Sequence, residues 1–249
     1  MDFKTHLKSY LSEETISNLL NTLDDEPYSA LILNFNKFKE EDLLSYFPNL
    51  IKHPLIDYCY IFKKSELSLG KHFLHDLGAY YISEPSAVLV SHLLDIKEND
   101  LVLDMCAAPG GKCIQAALKA KNGLIIANDL STERSKILAS NVERMGLNNV
   151  VVTNSDLSVE NRNLFDKFDK IILDAPCSGS GMFRKENKMK DDWSYQKVLK
   201  CKDVQKSLIE NAIKYLKPGG KLIYSTCSYS YEEDEEIILE LLENNTNIK

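Results

Sequence analysis

The chain has 249 residues, 44% hydrophobic and 27% charged, an ordinary balance for a globular protein with a sizeable core. Its net charge of −7 argues against general coating of nucleic acid, and no apolar run approaches the roughly 18 residues of a membrane span. No segment has the build of a signal peptide, so the chain reads as cytoplasmic, and six cysteines without a C-x-x-C pair favour reduced thiols over a zinc site or a disulfide scaffold.

Residues 1–75 read as a small N-terminal α+β unit. Ser12 caps a predicted helix whose stripe is Ile16, Leu19, Leu20 and Leu23. Ala30 to Leu33 reads as a strand, Asp42 to Phe47 as a short helix, and Tyr58 to Phe62 as another strand. His72 and His75 form a pair, but no third ligand cluster is near, so no metal is expected.

From residue 76 to 249 a second unit shows regular alternation. A helix over Ala87 to Leu94 leads into strand Leu101–Leu103, helix Cys113–Ala120 and strand Leu124–Ala127. The next helix has Ser131 as cap, a stripe of Leu138, Val142 and Met145, and Gly146 as stop. Strands Val150–Val152 and Lys170–Leu173 follow. A helix over Val204 to Leu216, with Val204, Leu208, Ala212 and Ile213 inward, stops at Pro218-Gly219-Gly220, and a last strand-like run reaches Cys227. Ser230 and Glu233 have capping-box spacing for a final helix with Ile237, Ile238, Leu241 and Leu242 on one face. Apolar strands alternating with helices imply an α/β fold, a doubly wound, mostly parallel sheet covered on both sides.

Two stretches carry chemistry. Cys106-Ala107-Ala108-Pro109-Gly110-Gly111-Lys112 joins a strand to a helix start, where unpaired N–H groups face a ligand; it matches neither the dinucleotide fingerprint nor the P-loop. Asp129, nineteen residues after Gly110 and at the end of the next strand, is placed to accept from ribose hydroxyls, although a capping aspartate reads equally from that residue alone. Asp156 could accept from an adenine amino group. Lys112, a cation in a helix's first turn, suits an anionic partner or a plain surface site.

The second stretch is Asp174-Ala175-Pro176-Cys177-Ser178-Gly179-Ser180-Gly181, after the apolar run Ile171-Ile172-Leu173. It puts a carboxylate and a thiol at a strand's carboxyl end, and Cys227 ends the following strand run. The two strands should be neighbours, about 4.8 Å apart, so both thiols can reach one substrate. Taken alone, two such cysteines also read as a redox pair or as inert core thiols.

These motifs, with Asp129, Ser131 and Arg134 and with Ser225-Thr226-Cys227-Ser228, resemble the Nop/Nol/Sun-type RNA cytosine-5 methyltransferases, and within them the bacterial ribosomal RNA enzymes of the RsmF type. The resemblance is strong from about residue 70 onward and looser before it, through Leu33-Asn34 and Gly78 to Ser86. It implies a Rossmann-like methyltransferase sheet binding S-adenosylmethionine through Cys106, Ala107, Ala108, Pro109, Gly110, Gly111, Lys112, Asp129, Arg134, Asp156 and Asp174. It also implies that Cys227 bonds covalently to carbon 6 of cytosine, that Cys177 assists release, and that Asp174 contacts the base. The implied partner is RNA, ribosomal rather than transfer RNA, bound by a monomer.

Between Arg184 and Lys206 eight basic residues face four acids, which suits phosphate contact or a solvated surface, whereas Glu232 to Glu243 carries seven acids. Tyr80, Tyr81, Phe183 and Trp193 read either as base-stacking residues or as core. The family's sheet ends in an antiparallel strand pair, and larger members add an RNA-binding domain; the sequence to Lys249 supplies neither. A second reading is therefore a truncated, catalytically weak cofactor- or RNA-binding module that needs another chain.

Overall fold

The computed structural model describes residues 1–23, 25–185 and 188–248, without the side chain of Lys188. Glu186, counted in the basic segment, lies outside the described residues.

The N-terminal third holds helices α1 (Phe3–Leu7) and α2 (Glu13–Thr22), strand β1 (Tyr28–Leu33), helix α3 (Glu40–Tyr46), strands β2 (Ile51–Lys52) and β3 (Cys59–Lys63), helix α4 (Phe73–Asp76) and strand β4 (Tyr80–Ser83). The four strands form an antiparallel sheet in the order β2-β3-β1-β4. Side chains alternate along β1: Leu31 and Leu33 pack beneath α3 and α4 with Leu43, Phe47 and Leu74, while Ala30 and Ile32 face the rest of the molecule. Both faces are therefore buried.

The remainder comprises α5 (Pro85–Leu93), β5 (Leu101–Asp104), α6 (Gly111–Lys119), β6 (Leu124–Asn128), α7 (Thr132–Met145), β7 (Val150–Thr153), β8 (Phe168–Asp174), α8 (Lys188–Asp192), α9 (Tyr195–Tyr215), β9 (Leu216–Ser225) and α10 (Glu235–Asn244). Its five strands are all parallel, in the order β7-β6-β5-β8-β9. One face is covered by α5, α6 and α7 and the other by α9 and α10. The order reverses between β5 and β8, and ligands bind such sheets at that switch point, outside the carboxyl ends of the strands. Among the described residues β9 pairs with β8 alone.

Local chemistry sets the helix ends as expected. Ser12 and Ser131 each accept a backbone N–H three residues on, and Gly146, at φ +67°, ends α7 in the left-handed region. Other expectations need correction. Helix α9 starts at Tyr195, capped by Ser194, nine residues before Val204; Val204 faces solvent, and the buried stripe is Val198, Gln205, Leu208, Ile209, Ala212 and Tyr215. The unit read as residues 1–75 takes its fourth strand from Tyr80–Ser83, beyond that boundary. Helix α1 packs away from the small sheet: Phe3 meets Phe183 and Trp193 edge-on at 4.9 and 5.2 Å.

The two sheets share one core. Ala30, Ile32 and Tyr81 from the antiparallel sheet pack in the same cluster as Val88 of α5 and Ile114 and Ala117 of α6. Asn34, buried, pins the seam by donating from Nδ2 to the carbonyls of Gly78 and Met145, each at 2.9 Å. Replacing Asn34 with Ala leaves both buried carbonyls short of a donor, a loss of about 1–3 kcal/mol. Urea denaturation of Asn34→Ala should show a lower midpoint with an unchanged slope.

Candidate active site

Two thiols lie together at the carboxyl ends of β8 and β9. Their register pairs Asp174 with Ser225, and the chains beyond these residues turn toward each other. Cys177 Sγ and Cys227 Sγ are 2.9 Å apart, and the Cys227 N–H points at Cys177 Sγ from 3.3 Å. Gly181 closes the loop from the other side, its N–H donating to the Cys227 carbonyl at 2.8 Å. A Cβ on Gly181 would stand 2.8 Å from that carbonyl oxygen, so this approach requires glycine.

The environment separates the two sulfurs. The contact with Cys177 holds the Cys227 pKa below the ordinary thiol value, against burial and Asp174, which push it up. The same contact, together with burial, drives the Cys177 thiol well upward. Cys227 is also the more exposed of the two, so the first proton to leave the pair comes from Cys227. Burial pushes Cys201 up to about 11, Cys59 and Cys106 to about 12, and Cys113 well above its usual value. Of the six cysteines, Cys227 alone has its pKa shifted downward.

Asp174 is half-buried beside the thiols. Its Oδ2 lies 2.7 Å from Lys112 Nζ and its Oδ1 accepts from Ser225 Oγ at 2.7 Å. Lys112, at the first turn of α6, thus has an anionic partner inside the protein. The loop before it is drawn against β6: Ala107 N–H donates to the Asn128 carbonyl at 2.7 Å, and Ala108 N–H to Asp129 Oδ2 at 3.2 Å. Asp129 Oδ1 accepts the Ser131 N–H at 3.0 Å. Arg134 reaches the Ala108 carbonyl and stands 3.5 Å from Asp129. Gly110, at φ +122°, begins α6 where a Cβ would press within 3.3 Å of both Leu138 and Ile114. Asp156 is exposed and folds onto Ser158, accepting its N–H and hydroxyl. The loop 106–112, Asp129, Arg134 and Asp174 form one cluster with the thiols, and Asp156 makes no hydrogen bond to it among the described residues.

The sequence reading left Asp104 unassigned. It ends β5 fully buried, and neither carboxylate oxygen has a hydrogen-bond partner among the described residues. Burial pushes its pKa up to about 7, with Lys112 opposing and Asp174 adding to the rise. Its signal was available in the sequence: a carboxylate closing an apolar strand immediately before the glycine turn. Glu233 was read as half of a capping box, but a short 3-10 turn over Tyr231–Glu233 precedes α10, the Ser230 hydroxyl has no partner among the described residues, and the Glu233 side chain turns inward to Ser178, Ser228 and Gln205.

Among the described residues, three of the eight basic residues between Arg184 and Lys206 are paired with acids within the molecule. Lys202 pairs with Glu236 at 2.7 Å and Glu240 at 3.6 Å, Lys206 pairs with Glu240, and Lys185 pairs with Glu84 at 2.8 Å. Glu236 and Glu240 of α10 thus meet Lys202 and Lys206 of α9. Tyr80, Tyr81, Phe183 and Trp193 are all buried, so none is placed to stack on a base. His72 caps α4, accepting the Leu74 N–H, and His75 is pressed against Tyr80.

The chain is similar to known proteins in sequence and in fold. A family model described as 16S rRNA methyltransferase RsmB/F matches residues 91–249. Ribosomal RNA small subunit methyltransferase F of Aliivibrio fischeri (strain MJ11) is 42% identical over 181 residues, covering 71% of this chain and 38% of that protein. The solved structure of PH0851 has a TM-score of 0.90 at 26% identity, covering 97% of this chain and 56% of that one. A methyltransferase homolog protein from Pyrococcus horikoshii gives a TM-score of 0.79 at 28% identity, covering 96% of this chain and 80% of that one. The chain thus spans about two fifths of the curated relative's length.

The pH dependence of stability tests the reading of Asp104. Between the unfolded carboxyl value near 3.9 and the folded value of about 7, the folded state keeps a proton that the unfolded state has released, so stability falls as pH rises through this window. Asp104→Asn lacks this titration. Urea melts should show the variant improving relative to the parent by about 1 kcal/mol between pH 6 and pH 8.

Proposed function

The chain belongs to the 16S rRNA methyltransferase RsmB/F family, and on that premise we propose that it methylates carbon 5 of a cytidine in ribosomal RNA, with S-adenosylmethionine as donor. The observation that carries the proposal is the cysteine pair, one thiol lowered and the other raised in pKa, beside a carboxylate.

The residues around the switch point fit the donor. Asp104 offers two unpartnered carboxylate oxygens, Asp129 lies at the end of β6, and Gly110 lets the backbone approach closely. Loop 106–112, Asp129 and Arg134 would hold the donor's adenosine and amino acid portions, Asp156 its adenine edge, and Asp174 would face both donor and base. Bound there, S-adenosylmethionine supplies an electrophilic methyl group on a sulfonium.

Carbon 5 of cytosine is a weak nucleophile. The Cys227 thiolate adds to carbon 6, the carbon 5–carbon 6 π electrons move into the ring, and carbon 5 becomes enamine-like and nucleophilic. The Lys112–Asp174 pair presents an ammonium donor and a carboxylate acceptor to the polar edge of the base, steadying the charge that develops there. Once carbon 5 carries the methyl group, it gives up its proton to water, the electrons of that carbon–hydrogen bond re-form the carbon 5–carbon 6 double bond, and the carbon–sulfur bond to Cys227 breaks to release the thiolate. Cys177, in contact with the departing sulfur, keeps its proton and hydrogen-bonds to the leaving thiolate, which aids release. The target base must be unpaired or flipped out to reach both sulfurs.

The test uses labelled donor with naked and assembled small-subunit ribosomal RNA. Cys227→Ala should lower methylation by about a thousandfold or more. Cys177→Ala should accumulate a denaturation-resistant protein–RNA adduct that the double variant with Cys227→Ala does not form. Asp174→Asn should lower kcat by about a hundredfold while leaving RNA affinity nearly intact. Donor binding without any 5-methylcytosine from the unmodified chain would sink the proposal in favour of a binding module.

A further inference from the structure

Each thiol is followed in sequence by a serine, and both serines are tied to one buried carboxylate. Glu233 is fully buried in the turn between Cys227 and α10. Its Oε1 accepts the Ser178 N–H at 2.7 Å and Gln205 Nε2 at 3.3 Å, and its Oε2 accepts the hydroxyls of Ser178 and Ser228. Gln205 also donates to the Pro176 carbonyl at 2.9 Å, on the other side of Cys177. The Tyr224 hydroxyl donates to the Glu233 carbonyl, fixing the turn from β9.

Removing a carboxylate from water costs several kcal/mol unless its lone pairs are satisfied. Among the described residues no cation pairs with Glu233, and its partners are a backbone N–H, two hydroxyls and an amide. Such charge-assisted bonds are short and directional, and they define where the neighbouring atoms lie. A neutral apolar residue here could fill the space, but it could not join the two loops. The Asp174–Ser225 register brings the strand ends within reach, yet Cys177 lies three residues and Cys227 two residues beyond that pair, so the strands alone do not set the sulfur positions.

We propose that Glu233 is the positioning residue that sets the Cys177–Cys227 geometry, with Gln205 as its support. It touches neither reacting sulfur and acts through Ser178 and Ser228. The consequence for turnover rests on the methyltransferase reading, whereas the sulfur geometry does not.

The two are therefore measured separately. In the full chain without RNA or donor, the diazene oxidant diamide converts the paired thiols to a disulfide and is itself reduced to the hydrazine; peptide mass mapping follows the Cys177–Cys227 linkage. Glu233→Ala should slow this linkage about tenfold or more and lower kcat for methylation about a hundredfold, with donor affinity within twofold of the parent. Glu233→Gln, which can keep the Ser178 N–H bond and turn its amide to the two hydroxyls, should recover most of the linkage rate. If Glu233→Ala does not fold, Ser178→Ala retains the carboxylate while removing one tie and should slow the linkage by a smaller factor. A folded Glu233→Ala that links at the parent rate overturns the proposal, as does a slowing matched by an equal loss of donor affinity. If the unmodified chain does not methylate RNA, the functional reading fails while the linkage rates still decide this one.

Discussion

Everything at the candidate site hangs on the seam between β8 and β9. Parallel neighbours with Asp174 opposite Ser225 place two loops at the same height above the sheet, and each loop carries a cysteine within three residues of its strand end. A slip of one residue would turn every side chain of β9 to the opposite face, removing Ser225 from Asp174 and Cys227 from Cys177. The register is held by apolar packing below: Ile171 and Leu173 with Leu208, Ile209 and Ala212 on one face, and Ile172 in the opposite core. The chemistry above the sheet is thus specified by burial beneath it.

Electrostatics at the same end of the sheet divide the work. Asp104, Asp129 and Asp174 gather three carboxylates around Lys112 and Arg134. Asp129 is engaged by two backbone N–H groups and Asp174 by an ammonium and a hydroxyl, which leaves Asp104 as the carboxyl with unpaired oxygens. A buried carboxyl near neutrality alongside two engaged ones is an environment that discriminates among ligands by charge.

Much of this was legible from local patterns. The strand–helix alternation, the caps at Ser12 and Ser131, the stop at Gly146 and the adjacency of the two cysteine-bearing strands all follow from periodicity and turn chemistry, and the structure shows each. Strand β4 was missed because four residues rich in tyrosine carry little periodicity, and its partner β1 lies some fifty residues earlier. Glu233 matched a local capping pattern, but tertiary demand took its carboxylate elsewhere. Linear charge counting cannot show that α10 lies alongside α9 and pairs with Lys202 and Lys206. Phe183 and Trp193 were ambiguous for the same reason, since the helix that covers them begins at residue 3.

That covering helix bears on how the molecule comes together. Phe3 contacts Phe183 and Trp193, and the Tyr10 hydroxyl donates to the Tyr229 carbonyl at 2.8 Å, closing a span of 219 residues. Contacts of such sequence separation carry a large loop-closure cost and form late. During synthesis helix α1 meets these partners only after residues 183–229 have left the ribosome. The packing of Phe183 and Trp193, six and sixteen residues beyond Cys177, is therefore completed by a segment synthesised about 180 residues earlier.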